Sequence, residues 1–358
     1  RIRTMNLRTG LIQRAELLND NGAKYHSDVV RFLSRPTSYP CSPSKVDVIE
    51  THMSLVFMAG DFVYKLKRPI RLDFLDNRAL AARRQSCENE ISINQRLAPG
   101  VYHRVLPVTR DSDGMLALGG DGVPIDWLVV MQRLDNADAL DRMIAERKVA
   151  IIHLEQVCDT LADFYRNQPK ITISQREWTN LWREKIEIVR SSLTDPLFDL
   201  PRGLIVPPLG AIENYIVTHR KDIIDRLAAG RVVDGHGDLK PEHVYLGSTV
   251  IVIDRLEFDE RLRWCDPFDE ITFLGLECDR LGASWVAPRL VNMLADRLDD
   301  RPSPSLLRFY KVYRACMRAR LMIEHMREEA PRTPEEWPRK AGTYLRLAAT
   351  ALPLKDQS

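Results

Sequence analysis

The spacing of apolar positions changes along the chain, and each change predicts a different kind of element. Leu7, Leu11, Ile12, Ala15 and Leu18 recur at helical intervals until Asn19-Asp20-Asn21-Gly22, which predicts a break. A second short helix is expected over 27–33, and Pro36, Pro40 and Pro43 mark a connecting loop. The period then becomes that of strands: 46–49, 55–58 and 62–66 are short β-prone runs, with Ala59-Gly60-Asp61 as the turn between the last two. In the third run Phe62, Tyr64 and Leu66 point one way, while Val63, Lys65 and Lys67 point the other. A helix is predicted from about 77 to 97. Asp111–Gly114 and Gly119–Gly122 look like hairpin turns, and Trp127–Met131 has the pattern of a buried strand. Beyond Asp135 the periodicity is mainly helical. Leu154, Val157, Leu161, Phe164 and Tyr165 form one core stripe, and Tyr215, Ile216, Ile223, Ile224 and Leu227 form another.

Between these helices stands His236-Gly237-Asp238-Leu239-Lys240-Pro241-Glu242-His243, followed by the apolar run Val250–Ile253 ending in Asp254. One carboxylate lies on a loop and another at a strand end, sixteen residues later, with a hairpin-sized stretch between them. That arrangement suits phosphoryl transfer: the first can orient a hydroxyl and accept its proton, and the second can hold the magnesium that bridges nucleotide phosphates. Two exposed turn residues would be the ordinary alternative. Lys65 and Lys67 also have two readings. Lysine guards solvated strand edges, and lysine on a strand neutralises nucleotide phosphates; Lys65 is the first choice for the second role and Lys67 the alternate.

Composition narrows the class. The chain has 358 residues, 44% of them hydrophobic, enough for one two-lobed unit or two domains. Lys plus Arg (52) nearly balances Asp plus Glu (50), which argues against nucleic acid as the main partner. The six cysteines show no paired spacing for zinc or a disulfide framework, as expected of reduced thiols. Without a long apolar run or a signal-peptide core, a cytoplasmic protein with no membrane partner is expected.

The His-Gly-Asp-Leu segment, three further positions and a strand ending in Ile-Asp resemble the catalytic region of the aminoglycoside phosphotransferase and choline kinase-like family, which has the protein-kinase-like fold. Glu50-Thr51-His52-Met53-Ser54, Tyr64-Lys65-Leu66-Lys67 and Phe74-Leu75-Asp76 are similar to segments of a bacterial branch of phosphotransferase-like proteins, so the resemblance runs from about residue 46 to 320. Some members of that branch are fused to a P-loop ATPase, but Gly-x4-Gly-Lys-Ser/Thr is absent here. The resemblance implies an α+β, bilobal fold: a helical extension over 1–45, a small β-rich N-lobe over 46–134, and a mainly helical C-lobe over 135–358 carrying loop 236–243 and the strand end at 254.

It further implies ATP and Mg2+, with the γ-phosphate passing to a hydroxyl of a small molecule such as an amino sugar. A nucleotide-binding regulator without transfer activity and a protein kinase are the alternatives. Asp238 takes the catalytic position and Asp254 the metal position, while Lys65 and Glu90 would hold the phosphates. The Gln132 carbonyl and Leu134 amide would meet adenine. His243 stands where the family has an Asn that binds a second magnesium; an imidazole there would also suit Mn2+. Glu50–Ser54 lacks the glycines of a phosphate-covering loop. Glu257 and Asp259 would form an acidic rim for an amino-bearing acceptor, or simply a solvated loop. Asp266 and Asp269 are assigned structural duties, and Arg314 with Arg318 is expected either to pair with them or to meet an anionic substrate.

Overall fold

The structure, a computed structural model, describes residues 20–72, 75–327 and 333–352. The predicted helix at Leu7–Leu18 and the aromatic ring of Phe74 lie outside them. The chain divides into two compact units. A sheet unit holds 20–138 with 251–260, and a helical unit holds 139–250 with the chain from 261. Asp254, assigned by the sequence to the helical lobe, therefore belongs with the sheet.

In the sheet unit, α1 (Asp20–Leu33) is followed by β1 (Val46–Glu50), β2 (Ser54–Ala59), β3 (Phe62–Lys67), the short β4 (Arg71–Leu72) and β5 (Leu75–Asp76), α2 (Leu80–Asn94), β6 (Tyr102–Arg110), β7 (Leu116–Leu118) and β8 (Val123–Gln132). Asp20-Asn21-Gly22, predicted as a break, lies inside α1. A glycine costs a helix only about 1 kcal/mol relative to alanine, which the packing of an amphipathic face outweighs.

Six strands form one sheet in the order β1-β2-β3-β8-β6-β7, and the pairs are antiparallel. The alternation read in β3 is realised. Tyr64 and Leu66 join Val29 and Leu33 of α1, Phe57, Leu128 and Val130 in one core. Val63 turns to the opposite core, formed with Cys87, Tyr102, Val129 and Met131 on the α2 side. Lys65 and Lys67 share that second face. Buried Arg83 fixes α2 by donating to Asp126 on β8 (2.8 Å) and to the Asn77 and Arg78 carbonyls (3.1 and 2.9 Å).

The helical unit contains α3 (Leu140–Ala145), α4 (Ile151–Arg166), α5 (Gln175–Leu193), α6 (Arg202–Thr218), α7 (Arg220–Ala228), β9 (Val233–Asp234), β10 (Val244–Leu246), β12 (Trp264–Cys265), α8 (Pro267–Arg280), α9 (Val286–Leu298), α10 (Pro304–Glu324) and α11 (Glu336–Thr350); β11 (Val250–Val252) leads back into the sheet unit. Its core is strongly aromatic around Trp182, which packs against Trp178, Phe309, Tyr310 and Tyr313. Among the described residues no helix is long and apolar enough to cross a membrane.

Candidate active site

In the sheet unit, strand β3 delivers two ammonium groups to one helix. Lys65 Nζ lies 2.8 Å from Glu90 Oε1 and 2.7 Å from Asp254 Oδ1. Lys67 Nζ ion-pairs with Glu90 Oε2 and donates to Glu257 Oε1. The structure thus separates the two lysines that the sequence left as alternates. Lys65 faces the strand-end carboxylate, whereas Lys67, 2% exposed, is sealed between two glutamates. Glu257 accordingly supports Lys67 instead of standing on an acidic rim; Asp259 is half-buried two residues further on.

Burial opposes charge on Lys65, but Asp254 and Glu90 overcome it and hold the ammonium well above its ordinary range. Burial likewise works against ionised Glu90, and Lys65 with Lys67 outweighs it, leaving that carboxyl below its ordinary value. Two ammoniums face three carboxylates in this cluster. Asp254 is its most accessible member, 38% exposed. This donor set fits a hard cation that takes its other ligands from phosphate oxygens and water, as magnesium does. Among the described residues no group of three or more His, Cys, Asp and Glu side chains is arranged to hold a metal by itself.

Two residues that the sequence reading missed aim Asp254. Its backbone N–H donates to the Tyr102 hydroxyl (3.1 Å). Buried Asn94 donates to the Glu90 carbonyl (2.8 Å) and accepts from the Arg255 N–H (2.9 Å), tying the last turn of α2 to the segment after Asp254. Asp254 itself has φ +61°, a left-handed conformation that Asp tolerates better than most residues.

At the end of β8 the Gln132 N–H donates to the Val101 carbonyl (2.8 Å), and Leu134 packs partly buried against the Met131 cluster. The turn at Glu50–Ser54 closes on itself. Thr51 Oγ1 donates to the Ser54 carbonyl (2.9 Å) and accepts from its N–H (3.0 Å), so this hydroxyl serves the turn.

In the helical unit, Glu270 of α8 builds the loop that carries Asp238. It accepts from the His236 N–H (2.9 Å), the Gly237 N–H and the Tyr165 hydroxyl (2.9 Å). Burial pushes its carboxyl above the ordinary range, though both backbone donors pull the other way. Gly235 is required because a Cβ there would run into Cys265 Sγ and Glu270 Oε2; Gly237 is required by φ +90°.

Asp238 Oδ2 lies 2.9 Å from Lys240 Nζ, which also lies 3.4 Å from Glu242 Oε1. Burial raises the Asp238 pKa, but Lys240, His243 and Arg318 together hold it well below the usual carboxylate range. His243 Nδ1 is 2.9 Å from the Asp238 carbonyl oxygen. A carbonyl only accepts, so Nδ1 carries the hydrogen and the imidazole braces the loop backbone.

Asp266 caps α8 through the Phe268 N–H (2.9 Å) and pairs with Arg226 (2.5 Å); Asp269 pairs with Arg314 (2.7 Å). Both have the structural duties expected of them. Arg318 joins neither and pairs instead with Glu277 (2.8 Å).

A β-rich unit built on a curled antiparallel sheet and a mainly helical unit define the protein-kinase-like fold. Among solved structures the chain is similar to spectinomycin phosphotransferase bound to AMP (TM-score 0.51, 12% identity, 90% of this chain and 98% of that one). It is also similar to wild-type aminoglycoside 2'-phosphotransferase bound to GDP (TM-score 0.51, 13% identity, 93% and 100%). In sequence it matches uncharacterized proteins of Mycobacterium bovis and Mycobacterium tuberculosis, each 27% identical over 283 residues, 77% of this chain. The chain spans about half the length (54%) of these curated relatives. No family model matches it.

Proposed function

We propose that the chain is an ATP-dependent phosphotransferase acting on a hydroxyl of a small molecule. The observation that carries this reading is the Lys65–Glu90–Asp254 cluster, in which a strand lysine is aimed by a helix glutamate at a strand-end aspartate. A nucleotide with Mg2+ would supply the transferable phosphoryl group and neutralise its charge. Lys65 would turn to the phosphate oxygens with Glu90 fixing its direction, and Asp254 would hold the cation. Val63, Met131 and Leu134 offer an apolar setting for a base, with the Gln132 carbonyl and Leu134 amide as its backbone partners.

Asp238 would accept a hydrogen bond from the acceptor hydroxyl. The acceptor oxygen would then bond to the γ-phosphorus as the bond from that phosphorus to the β–γ bridging oxygen breaks; ADP would leave with the bridging oxygen, and the proton would go to an Asp238 oxygen. A carboxylate held below its usual range is a weak base, so orientation is its larger contribution, as suits a loose transition state.

The test is incubation with Mg-ATP and a library of hydroxyl-bearing metabolites, followed by ADP release and the mass of the phosphorylated product. A product that gains one phosphoryl group from wild type and not from Asp238→Asn supports the reading. Absence of Mg-ATP binding by calorimetry would sink it.

A further inference from the structure

The phosphotransferase reading leaves open what else the acceptor alcohol carries, and the helical unit holds a cluster that the reading does not use. Glu277 of α8 is fully buried, yet it organises two arginines. Arg318 Nε lies 2.8 Å from one carboxylate oxygen and Arg280 Nε 2.7 Å from the other. The Tyr344 hydroxyl of α11 donates to the same carboxylate at 2.8 Å and accepts from Arg318 Nη2 at 3.3 Å. Arg318 is also bracketed by aromatic faces, with its guanidinium carbon 6.0 Å from the Phe273 ring centre and 5.3 Å from that of Tyr344.

Each guanidinium is therefore gripped through its Nε edge. Arg280 makes no other hydrogen bond among the described residues and remains 32% exposed. Such a clamp spends one buried carboxylate on two cations and leaves a net positive charge in place, with side-chain freedom already removed.

The cluster belongs to the surroundings of the catalytic loop. Helix α8 packs on the single 3-10 turn Pro241–His243 that ends the loop. The charge of Arg318 acts on Asp238, and that of Glu242 acts on Arg280. Lys240 adds a third cation on the loop itself. Of the acids named here, Lys240 engages Asp238 and Glu242, and the two arginines share Glu277.

We propose that the acceptor alcohol carries an anionic oxygen group, a carboxylate or a phosphate ester, which Arg280 and Arg318 receive while its hydroxyl meets Asp238. This rests on the phosphotransferase reading and sets the acceptor apart from amino alcohols and amino sugars. Planar guanidinium forks match both oxyanions.

The test compares three acceptor panels with Mg-ATP: hydroxy acids (D-glycerate, D-gluconate), sugar phosphates (D-glucose 6-phosphate, D-ribose 5-phosphate) and cationic alcohols (choline, ethanolamine, kanamycin). Transfer to either anionic panel is expected, and which of the two distinguishes carboxylate from phosphate. Arg280→Gln should raise the KM for that acceptor about 10-fold or more, with a smaller change in kcat, as removal of a charged ground-state contact does. Arg280 is the primary variant because its exposure makes misfolding less of a concern, and Arg318→Lys, which keeps charge but not the fork, should show the same KM-weighted loss. Transfer confined to the cationic panel, or an anionic KM unmoved in both variants, overturns the inference. Failure to bind Mg-ATP would instead remove the phosphotransferase reading beneath it.

Discussion

Lys67 stands two residues after Lys65 on the same strand face, yet its ammonium is directed to Glu257, and both ends of that ion pair are shielded from solvent. Lys67 also touches Glu90 Oε2 while Lys65 takes Oε1, so one carboxylate serves both lysines through different oxygens. A buried charge left without its partner is costly, whereas a partly exposed one can turn to water.

Lys67→Met is therefore expected to lower unfolding free energy by about 3 to 5 kcal/mol. Lys65→Met should cost less stability and abolish transfer. Urea denaturation beside a transfer assay separates them, and equal stability losses in the two variants would refute the division of labour.

Asp238→Asn should reduce transfer by about 10² to 10⁴, the range for losing the group that orients the hydroxyl and receives its proton, and leave Mg-ATP affinity nearly intact. Calorimetry and turnover on the same preparation check both halves. Near-normal turnover would remove Asp238 from the role.

Asn94→Ala removes the bridge between Glu90 and Arg255. A loss of about 1 to 3 kcal/mol is expected from its unsatisfied buried partners, together with weaker Mg-ATP binding because Asp254 loses its anchor. A stability loss with unchanged nucleotide affinity would show that the bridge serves folding alone.

His243 bonds to the Asp238 carbonyl, which makes it a brace for the loop. His243→Asn, whose amide can still donate, should retain more activity than His243→Ala, with the same ranking in magnesium and in manganese. A selective loss of manganese-supported turnover in both variants would instead place the imidazole on the metal.

Glu270 gives a pH signature. Burial raises its folded pKa above the ordinary value of about 4.5, so the stability linked to its protonated form is full below that value and is lost as pH rises through the folded one. Glu270→Gln cannot ionise. The stability difference between wild type and this variant should therefore shift against wild type as pH increases from about 4.5, measured by denaturation at several pH values. A pH-independent difference would contradict the raised pKa.

The parts of the site legible in the sequence are those with local patterns. Alternation in β3 put Lys65 and Lys67 on one face, and the Gly-Asp-Leu loop with its following strand singled out Asp238 and Asp254. What escaped depends on partners far apart in sequence. Lys67 meets Glu257 across 190 positions, and Asn94 meets Arg255 across 161. A glutamate such as Glu277, whose partners Arg318 and Tyr344 lie on α10 and α11, looks like any acid on a helix until those helices assemble. The Asp20-Asn21-Gly22 part of the expected break is helical for the opposite reason, since a local preference worth about 1 kcal/mol yielded to packing.

The left-handed backbone at Asp254 also decides which substitutions report on chemistry. A Cβ in that region costs most residues about 1 to 2 kcal/mol, which asparagine and aspartate offset in part through their short polar side chains. Replacement by alanine would mix lost carboxylate chemistry with a backbone pushed out of place, and with it the N–H that reaches Tyr102. Asparagine keeps the geometry and removes the charge; glycine keeps the geometry and removes the side chain. That pair of variants can isolate what the carboxylate does, because the chain's own handedness at this one residue is preserved in both.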